Sequence, residues 1–241
     1  MKYLQSSFTV PMAPHLSDEQ WNNAFRKPQS AVVCHNCNDK DLAEKEVDII
    51  REFIEELHPN HGLTALDIGC GDSEDGKFIF DDNHYMGIDE TEGIDARLLP
   101  FEERSFYYVL MKRILCQHGP VARKQIISEA KRVCKPGGYI IVCEPWLAEY
   151  GNLNRLRTSA GLAPLPAPES GGNFLEDKEF LPLTQVADLP IDPSYVYWTR
   201  FLWERLTGKM LAYDDIARRT FPEIRYADRY TPYRAKVFQN V

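Results

Sequence analysis

Apolar positions recur first with a helical period and then in short runs typical of buried strands. The helical stretch predicts an amphipathic helix that ends at the break 58–62, with apolar positions at Leu42, Val47, Ile50, Phe53, Ile54 and Leu57. Four apolar runs predict strands, at residues 64–68, 85–88, 106–111 and 139–143. A short helix after Ser73 and a longer one through residues 126–133 alternate with them, which indicates a mostly parallel sheet.

The N-terminal segment 1–57 is predicted to form a helical cap on the domain. Ser17-Asp18-Glu19-Gln20 has the pattern of a capping box, and the helix it opens places Trp21 and Phe25 on one face. Two interpretations stay open for these aromatic residues. They cover a ligand, or they pin the N-terminal arm to the core.

The C-terminal third changes character after Pro145. Residues 151–193 contain six prolines and four glycines, which predicts an irregular lid or substrate loop within an insertion at 147–208. Beyond it, the pattern predicts helices near 195–206 and 213–220. Two strands at 223–230 and 233–241, separated by Thr231-Pro232, then suit an antiparallel hairpin that closes the sheet.

The stretch from Thr64 to Ser73 carries the first chemical signal. Its strand ends in Asp67, and Gly69 and Gly71 then let the backbone turn sharply and approach a ligand closely. A second strand ends in Asp89, at a distance along the chain that suits a carboxylate binding ribose hydroxyls. Both signals therefore indicate a nucleoside-containing ligand at the carboxyl edge of a parallel sheet.

Two further motifs make the resemblance to a known family specific. Asp95-Ala96-Arg97-Leu98-Leu99-Pro100-Phe101 precedes Ser105-Phe106, and Arg132-Val133-Cys134-Lys135-Pro136-Gly137-Gly138-Tyr139 precedes an apolar strand. With the glycine turn and Asp89, these motifs resemble the small-molecule branch of the class I S-adenosylmethionine-dependent methyltransferases over residues 64–146. The resemblance implies an α/β, Rossmann-like, mostly parallel sheet with helices on both faces and a C-terminal antiparallel hairpin.

The resemblance also implies S-adenosyl-L-methionine as cofactor and assigns its contacts. The glycine turn would face the methionine part, Asp89 would bind the ribose, and the Asp95-Ala96 pair would meet the adenine. The full set of cofactor-binding candidates is Asp67, Gly69, Cys70, Gly71, Asp89, Glu90, Asp95, Ala96 and Met111.

A dinucleotide-dependent dehydrogenase is the nearest rival for such a glycine turn. Its third glycine would stand at position 74, where this chain has Glu74, and a carboxylate there would repel a pyrophosphate. The chain also departs from the methyltransferase pattern. The short gap from Asp89 to Asp95 leaves no room for a helix and a third strand, so we expect a sheet shortened around strand three and an adenine pocket open on that side.

Length and charge favour one enzyme domain acting on a small molecule. The 241 residues, 44% of them hydrophobic, suit a single domain over 1–241, and a net charge of −8 argues against nucleic acid as a partner. No apolar run reaches the roughly 18 residues of a membrane span, and the start lacks a signal peptide, so we expect no membrane association and a cytoplasmic location. The sequence predicts nothing about oligomeric state.

Cysteine usage fits a reducing compartment, and no metal is predicted. Cys34 and Cys37 have the spacing of half a zinc site, but no second Cys/His pair follows nearby, which favours a loop or surface pair over structural zinc.

Positive charge exceeds negative charge near the C-terminus, although the whole chain is acidic, and this bears on the acceptor. Residues 195–241 hold nine Lys/Arg against five acids, interleaved with aromatic residues. This mixture suits an anionic acceptor such as a phosphorylated sugar or a nucleotide, but solvated arginines beside core aromatics explain it equally well.

Methyl transfer to an oxygen usually needs a base, and two catalytic candidates follow the third and fourth predicted strands. His118 lies before a Gly-Pro pair, and Glu144 lies before Pro145. The predicted function is methyl transfer from S-adenosylmethionine to O or N of a small molecule. The alternative is a non-catalytic methyltransferase-like protein that binds nucleosides or a partner chain.

Overall fold

The computed structural model describes residues 40–58, 63–73, 75–80, 84–164, 174–191, 194–208 and 233–241. Several predicted features lie outside these residues, namely the capping box at 17–20, the Cys34/Cys37 pair, the helix at 213–220 and the strand at 223–230.

Six strands form one sheet in the order β2-β1-β3-β4-β6-β5. Their bounds are β1 Ala65–Ile68, β2 Tyr85–Ile88, β3 Phe106–Lys112, β4 Cys134–Pro145, β5 Thr184–Pro190 and β6 Tyr233–Gln239. The helices are α1 Lys40–Leu57, α2 Asp75–Ile79, α3 Pro120–Val133, α4 Leu147–Ser159 and α5 Ser194–Thr207. Short 3₁₀ helices cover Glu90–Glu92, Leu115–Gln117 and Asp177–Phe180.

The first four strands are parallel, so their carboxyl ends meet at one edge of the sheet. Ile68 at the end of β1 lies between Ile88 of β2 and Met111 of β3. Strand β2 is at the outer edge, and only the 3₁₀ helix Glu90–Glu92 and a turn follow it before Asp95. The expected shortening around strand three is therefore confirmed.

Two layers of helix cover the sheet. Val47, Ile50 and Ile54 of α1 pack with the side chains that β1, β3 and β4 direct to one face, including Leu110 and Ile141. The opposite face packs against α3 through Ile126, Ile127, Ala130 and Val133. Successive side chains along each strand thus pack on opposite faces of the sheet, as expected for a sheet that is buried on both sides.

Strand β6 is antiparallel to both of its neighbours, β4 and β5. The predicted strand at 233–241 is confirmed, and with β5 it forms the antiparallel pair of the C-terminal part of the sheet. The prediction that 151–193 holds no regular element is wrong, because α4 extends to Ser159 and β5 covers Thr184–Pro190. Strand β5 is an edge strand with mostly exposed side chains and a proline at its end, so its apolar pattern is weak.

Among the residues that the structure describes, no helix is long and apolar enough to span a membrane.

Candidate functional site

The glycine turn follows β1 at the carboxyl edge of the sheet. Gly69 and Gly71 have φ angles of +79° and +58°, which side chains rarely adopt. The backbone N–H groups of Gly69 and Cys70 donate to the carbonyl of Ile88, at 2.8 and 3.1 Å. This pairing holds the turn against the end of β2. The side chain of Ile114 lies against Gly69, since an added Cβ would stand 2.9 Å from its Cδ1 atom.

Asp89 joins the glycine turn to the chain after β2. Its Oδ2 accepts a hydrogen bond from the N–H of Gly71 at 3.0 Å, and its Oδ1 accepts one from Thr91 at 2.9 Å. The carboxylate therefore caps the 3₁₀ helix Glu90–Glu92 as well as the turn. Burial and the neighbouring carboxylates of Asp89 and Asp95 raise the pKa of Glu90.

Asp67 is buried beneath this turn. Its Oδ2 accepts a hydrogen bond from the hydroxyl of Tyr85 at 3.3 Å, whereas its Oδ1 has no hydrogen-bond partner within the described part of the chain. Burial raises the pKa of Asp67 to about 6, although the charge of Lys112 acts in the opposite direction. A buried carboxylate oxygen without a donor is costly, so it indicates a site for a donor that the protein itself does not supply.

Two ion pairs lie at the end of β3, and the first of them involves Lys112, whose charge acts on Asp67. Lys112, at the end of β3, pairs with Asp75 of α2, and Arg113 pairs with Glu46 of α1. Arg113 also lies over the ring of Tyr233 in β6, 5.7 Å from its centroid. These pairs attach α1 and α2 to the edge of the sheet that carries the turn.

Asp95 is held by its neighbour Arg97. The Arg97 Nε and backbone N–H groups donate to Asp95 Oδ1 at 2.9 and 2.8 Å, and Nη2 donates to Oδ2 at 2.6 Å. Although burial acts to raise it, these bonds hold the pKa of Asp95 below its ordinary value. Ala96 is half-buried against the core.

Glu129 and Arg132 of α3 hold the segment that follows Asp95 through hydrogen bonds to its backbone. The Leu99 N–H donates to Glu129 Oε2 at 2.7 Å, and Arg132 donates to the carbonyls of Leu99 and Phe101 at 2.9 and 2.7 Å. Arg132 also pairs with Glu129 at 2.7 Å. The motif that begins at Asp95 and the motif that begins at Arg132 are therefore in direct contact.

The two catalytic candidates occupy different environments. His118 is half-buried beside Asp95 and Arg97, and burial together with the charge of Arg97 lowers its pKa. Glu144 is fully buried, with both carboxylate oxygens bonded to backbone N–H groups of Leu115 and Cys116. The catalytic role of Glu144 stays a prediction, and in the structure both of its carboxylate oxygens are occupied by these backbone donors.

The remaining two cofactor candidates are apolar in character. Cys70 is half-buried in the turn, and burial raises the pKa of its thiol to about 12, which disfavours the nucleophilic thiolate. Met111 is fully buried in the core cluster against α3. The structure therefore places the predicted acids and glycines, together with Cys70, Ala96 and His118, at the carboxyl ends of the parallel strands. Met111 lies inside the core.

Sequence reasoning missed Glu46, Lys112, Arg113, Glu129 and Arg132 as residues that support the site. Glu46 did carry a signal, because it stands four residues before Ile50 on the apolar face of α1. Among the described residues, no group of three or more His, Cys, Asp or Glu side chains could hold a metal ion.

The family model described as a methyltransferase domain matches residues 82–142, which run from before β2 into β4. The match covers 61 of the 241 residues. The matched family uses S-adenosyl-L-methionine as its methyl donor. The match includes Asp89 and the motifs that begin at Asp95 and Arg132, whereas the glycine turn at 69–71 lies outside it. No curated protein matches the chain.

Solved structures with a similar fold are distant in sequence. A protein of Pyrococcus horikoshii is 16% identical, with a TM-score of 0.48 over 85% of this chain and 93% of its own. Geranyl diphosphate C-methyltransferase from Streptomyces coelicolor is 15% identical, with a TM-score of 0.44 over 95% and 100%. A possible histamine N-methyltransferase from Thermotoga maritima is 14% identical, with a TM-score of 0.38 over 83% and 91%. These likenesses carry no argument about the acceptor.

The residues at this site fit S-adenosyl-L-methionine. Within the described part of the chain, the buried Asp67 Oδ1 lacks a donor, which an ammonium group would supply, and a Cβ added at Gly71 would meet no atom within 4 Å. Acids predominate around the turn, as suits a ligand that carries positive charge and no phosphate.

Proposed function

We propose that the protein is an S-adenosylmethionine-dependent methyltransferase that transfers a methyl group to an oxygen or nitrogen atom of a small molecule. The observation that carries this proposal is the gathering of Asp67, the glycine turn, Asp89 and His118 at one edge of the sheet. Asp67 would accept the ammonium group of the cofactor, Asp89 its ribose hydroxyls, and the segment beginning at Asp95 its adenine. When bound, S-adenosyl-L-methionine supplies a methyl group on a positively charged sulfur.

His118 is the proposed base for an oxygen acceptor. Its lowered pKa keeps the imidazole neutral near pH 7, so a ring nitrogen is able to accept the proton that leaves the attacking hydroxyl. Its place beside Asp95 and Arg97 puts this base near the proposed adenine segment. Much of the remaining rate enhancement would come from alignment of the two reactants in a shielded site, since methyl displacement requires an in-line approach.

The acceptor is proposed to be a small molecule that carries an anionic group. Arg234 pairs with Asp188 and Glu149, and Lys236 pairs with Asp177, so both cations are already neutralised in the structure. The exposed Arg205 is a better candidate to attract an anion. An acceptor recognised by such exposed charges would bind less tightly at high salt.

The experiment is a methyl-transfer screen with salt as a variable. S-adenosylmethionine binding is first measured by calorimetry, and a panel of phosphorylated sugars, nucleotides, neutral alcohols and amines is then tested for methylation. For an anionic acceptor, added salt should raise the KM of the acceptor and leave cofactor affinity nearly unchanged. A KM that is independent of salt would point to a neutral acceptor.

One observation favours a second candidate function. Strand β2 is the edge of the sheet, and Asp95 is already bonded to Arg97, so the adenine side is less enclosed than a longer sheet would make it. A nucleoside-binding or partner-binding role without turnover is compatible with this opening. Cofactor binding without methylation of any member of the panel would support it.

A further inference from the structure

Glu144 is placed to organise the site from inside the protein. It is the second-last residue of β4, and its side chain is 0% exposed. Its Oε1 accepts a hydrogen bond from the N–H of Leu115 at 2.6 Å, and its Oε2 accepts one from Cys116 at 3.2 Å. These donors belong to the first turn of a 3₁₀ helix, where backbone N–H groups lack partners within the helix.

The segment held in this way is the β3 loop, which we define as residues 113–118. Its Ile114 lies against Gly69 of the glycine turn, and its His118 lies beside Asp95 and Arg97. Its Arg113 pairs with Glu46 of the helical cap. The β3 loop therefore touches the proposed methionine site, the proposed adenine site and the cap.

We infer that Glu144 is a positioning residue that fixes the β3 loop, and through it the relative places of the glycine turn and His118. The part that concerns His118 rests on the proposed function, whereas the part that concerns the loop rests only on the two hydrogen bonds. A carboxylate suits this task because it only accepts hydrogen bonds, and both of its oxygens face donors.

The chemistry of the side chain suggests the test variant. Glu144→Gln keeps the size but replaces one acceptor oxygen with an amide NH₂ group, so two donors would face each other at one of the two bonds. Glu144→Asp keeps the charge but is one methylene shorter, and we expect it to hold only one of the two N–H groups. Ile141→Val is the matched control, because Ile141 is buried in the same strand and packs in the cluster on the α1 side.

The experiment measures amide hydrogen exchange in the β3 loop and affinity for S-adenosylhomocysteine in the full chain. We expect Glu144→Gln to lower protection of the Leu115 and Cys116 amides by about tenfold or more, and to weaken binding by about fivefold or more. Glu144→Asp should show a smaller loss at one amide. In the control Ile141→Val, amide protection and affinity for S-adenosylhomocysteine should both stay near the wild-type values, even where its melting temperature falls as much as that of Glu144→Gln.

A spectroscopic readout separates positioning from general stabilisation. Burial raises the pKa of Glu144 to about 7, and the ionised carboxylate faces the N–H groups of Leu115 and Cys116. The amide proton shifts of these two residues should therefore move between pH 6 and 8 in the wild type and lose that movement in Glu144→Gln.

Equal loop protection in Glu144→Gln and the control would overturn the inference, and so would unchanged affinity for S-adenosylhomocysteine. If the Gln variant does not fold, the Asp variant gives the same comparison. If the wild-type protein itself binds no S-adenosylhomocysteine, the proposed function fails, and the exchange measurement still decides whether Glu144 positions the loop.

Discussion

At the residue scale, the site is governed by carboxylates in unlike surroundings. Asp67 is buried, with one oxygen that lacks a donor among the described residues. Asp89 accepts hydrogen bonds from two backbone N–H groups, and Asp95 accepts them from the guanidinium of Arg97. The same functional group therefore has a raised pKa at Asp67 and a lowered one at Asp95. Only the environment of each carboxylate accounts for this difference.

The ionisation of Asp67 should make cofactor affinity depend on pH. The charged groups that face it are Lys112 and Asp89, and Tyr85 donates a hydrogen bond to it. Because its pKa is about 6, a bound ammonium group must displace a proton below that pH, and affinity for S-adenosylmethionine should fall by up to about tenfold per pH unit below 6. Calorimetry from pH 5 to 8 measures this, and Asp67→Asn should remove the dependence while weakening binding at pH 8.

The same shift has a consequence for the stability of the cofactor-free protein. Burial raises the pKa of Asp67 from 3.8 to about 6, so the folded chain holds this proton more tightly than the unfolded chain does. The contribution of Asp67 to the free energy of unfolding is therefore largest at low pH and declines as pH rises from about 4 to about 6. A decline that persists unchanged in Asp67→Asn would contradict this assignment.

Loss of the Asp89 carboxylate should weaken cofactor binding by about 1.5–3 kcal/mol, because a charged acceptor for ribose hydroxyls disappears. Part of this loss would come from a looser turn, since Gly71 also donates to Asp89. Asp72→Ala is the control, because Asp72 is an exposed acid of the same turn. Affinity for S-adenosylhomocysteine in Asp89→Ala equal to that of the control would remove the ribose assignment.

At the element scale, the turns and helix ends carry the site, and the strands hold them in place. Helix α3 fixes the segment after Asp95 through Glu129 and Arg132, and α1 attaches to the end of β3 through Glu46. The motif residues of the sequence therefore contact one another. A substitution that breaks one of these contacts is therefore expected to alter the position of the neighbouring element.

Gly69→Val tests the turn between β1 and α2. The valine would adopt a left-handed φ of +79°, and its side chain would collide with Ile114. We expect cofactor affinity to fall by about tenfold or more. Gly71→Ala separates backbone strain from the collision with Ile114, because Gly71 shares the left-handed backbone but has open space at Cβ. Normal folding and normal binding in Gly69→Val would show that the turn has only a structural role.

At the scale of the whole molecule, the insertion at 147–208 contains two packed helices. Arg157 of α4 makes two hydrogen bonds to Glu204 of α5, at 2.8 and 2.9 Å, and is only 3% exposed. Its guanidinium also lies over the ring of Phe201, 5.6 Å from the centroid. A role of this insertion as a lid over the acceptor stays a prediction, as does a cytoplasmic location.

Arg157→Ala should loosen the α4–α5 pair without altering cofactor binding. Removal of one partner from a buried ion pair costs about 3 kcal/mol, so limited proteolysis should cut the insertion faster. Affinity for S-adenosylhomocysteine should stay near the wild-type value, because the glycine turn lies on other elements. Arg155→Ala is the control, since Arg155 is exposed on the same helix. Equal cleavage of the two variants would show that the ion pair does not hold the insertion together.

The sequence by itself determined the succession of the parallel strands along the chain, the glycine turn, the acid after β2 and the missing strand before Asp95. These features are local, because periodicity and glycine spacing report burial and backbone turns within a few residues. Only the tertiary structure decided which side chains face inward at the ends of strands. Glu144 lies at the end of β4 and His118 follows the neighbouring strand β3, yet Glu144 is buried against backbone donors whereas His118 is only half-buried. The partners of β6 and the Arg113–Glu46 pair join residues far apart in the chain, and no local pattern encodes such contacts.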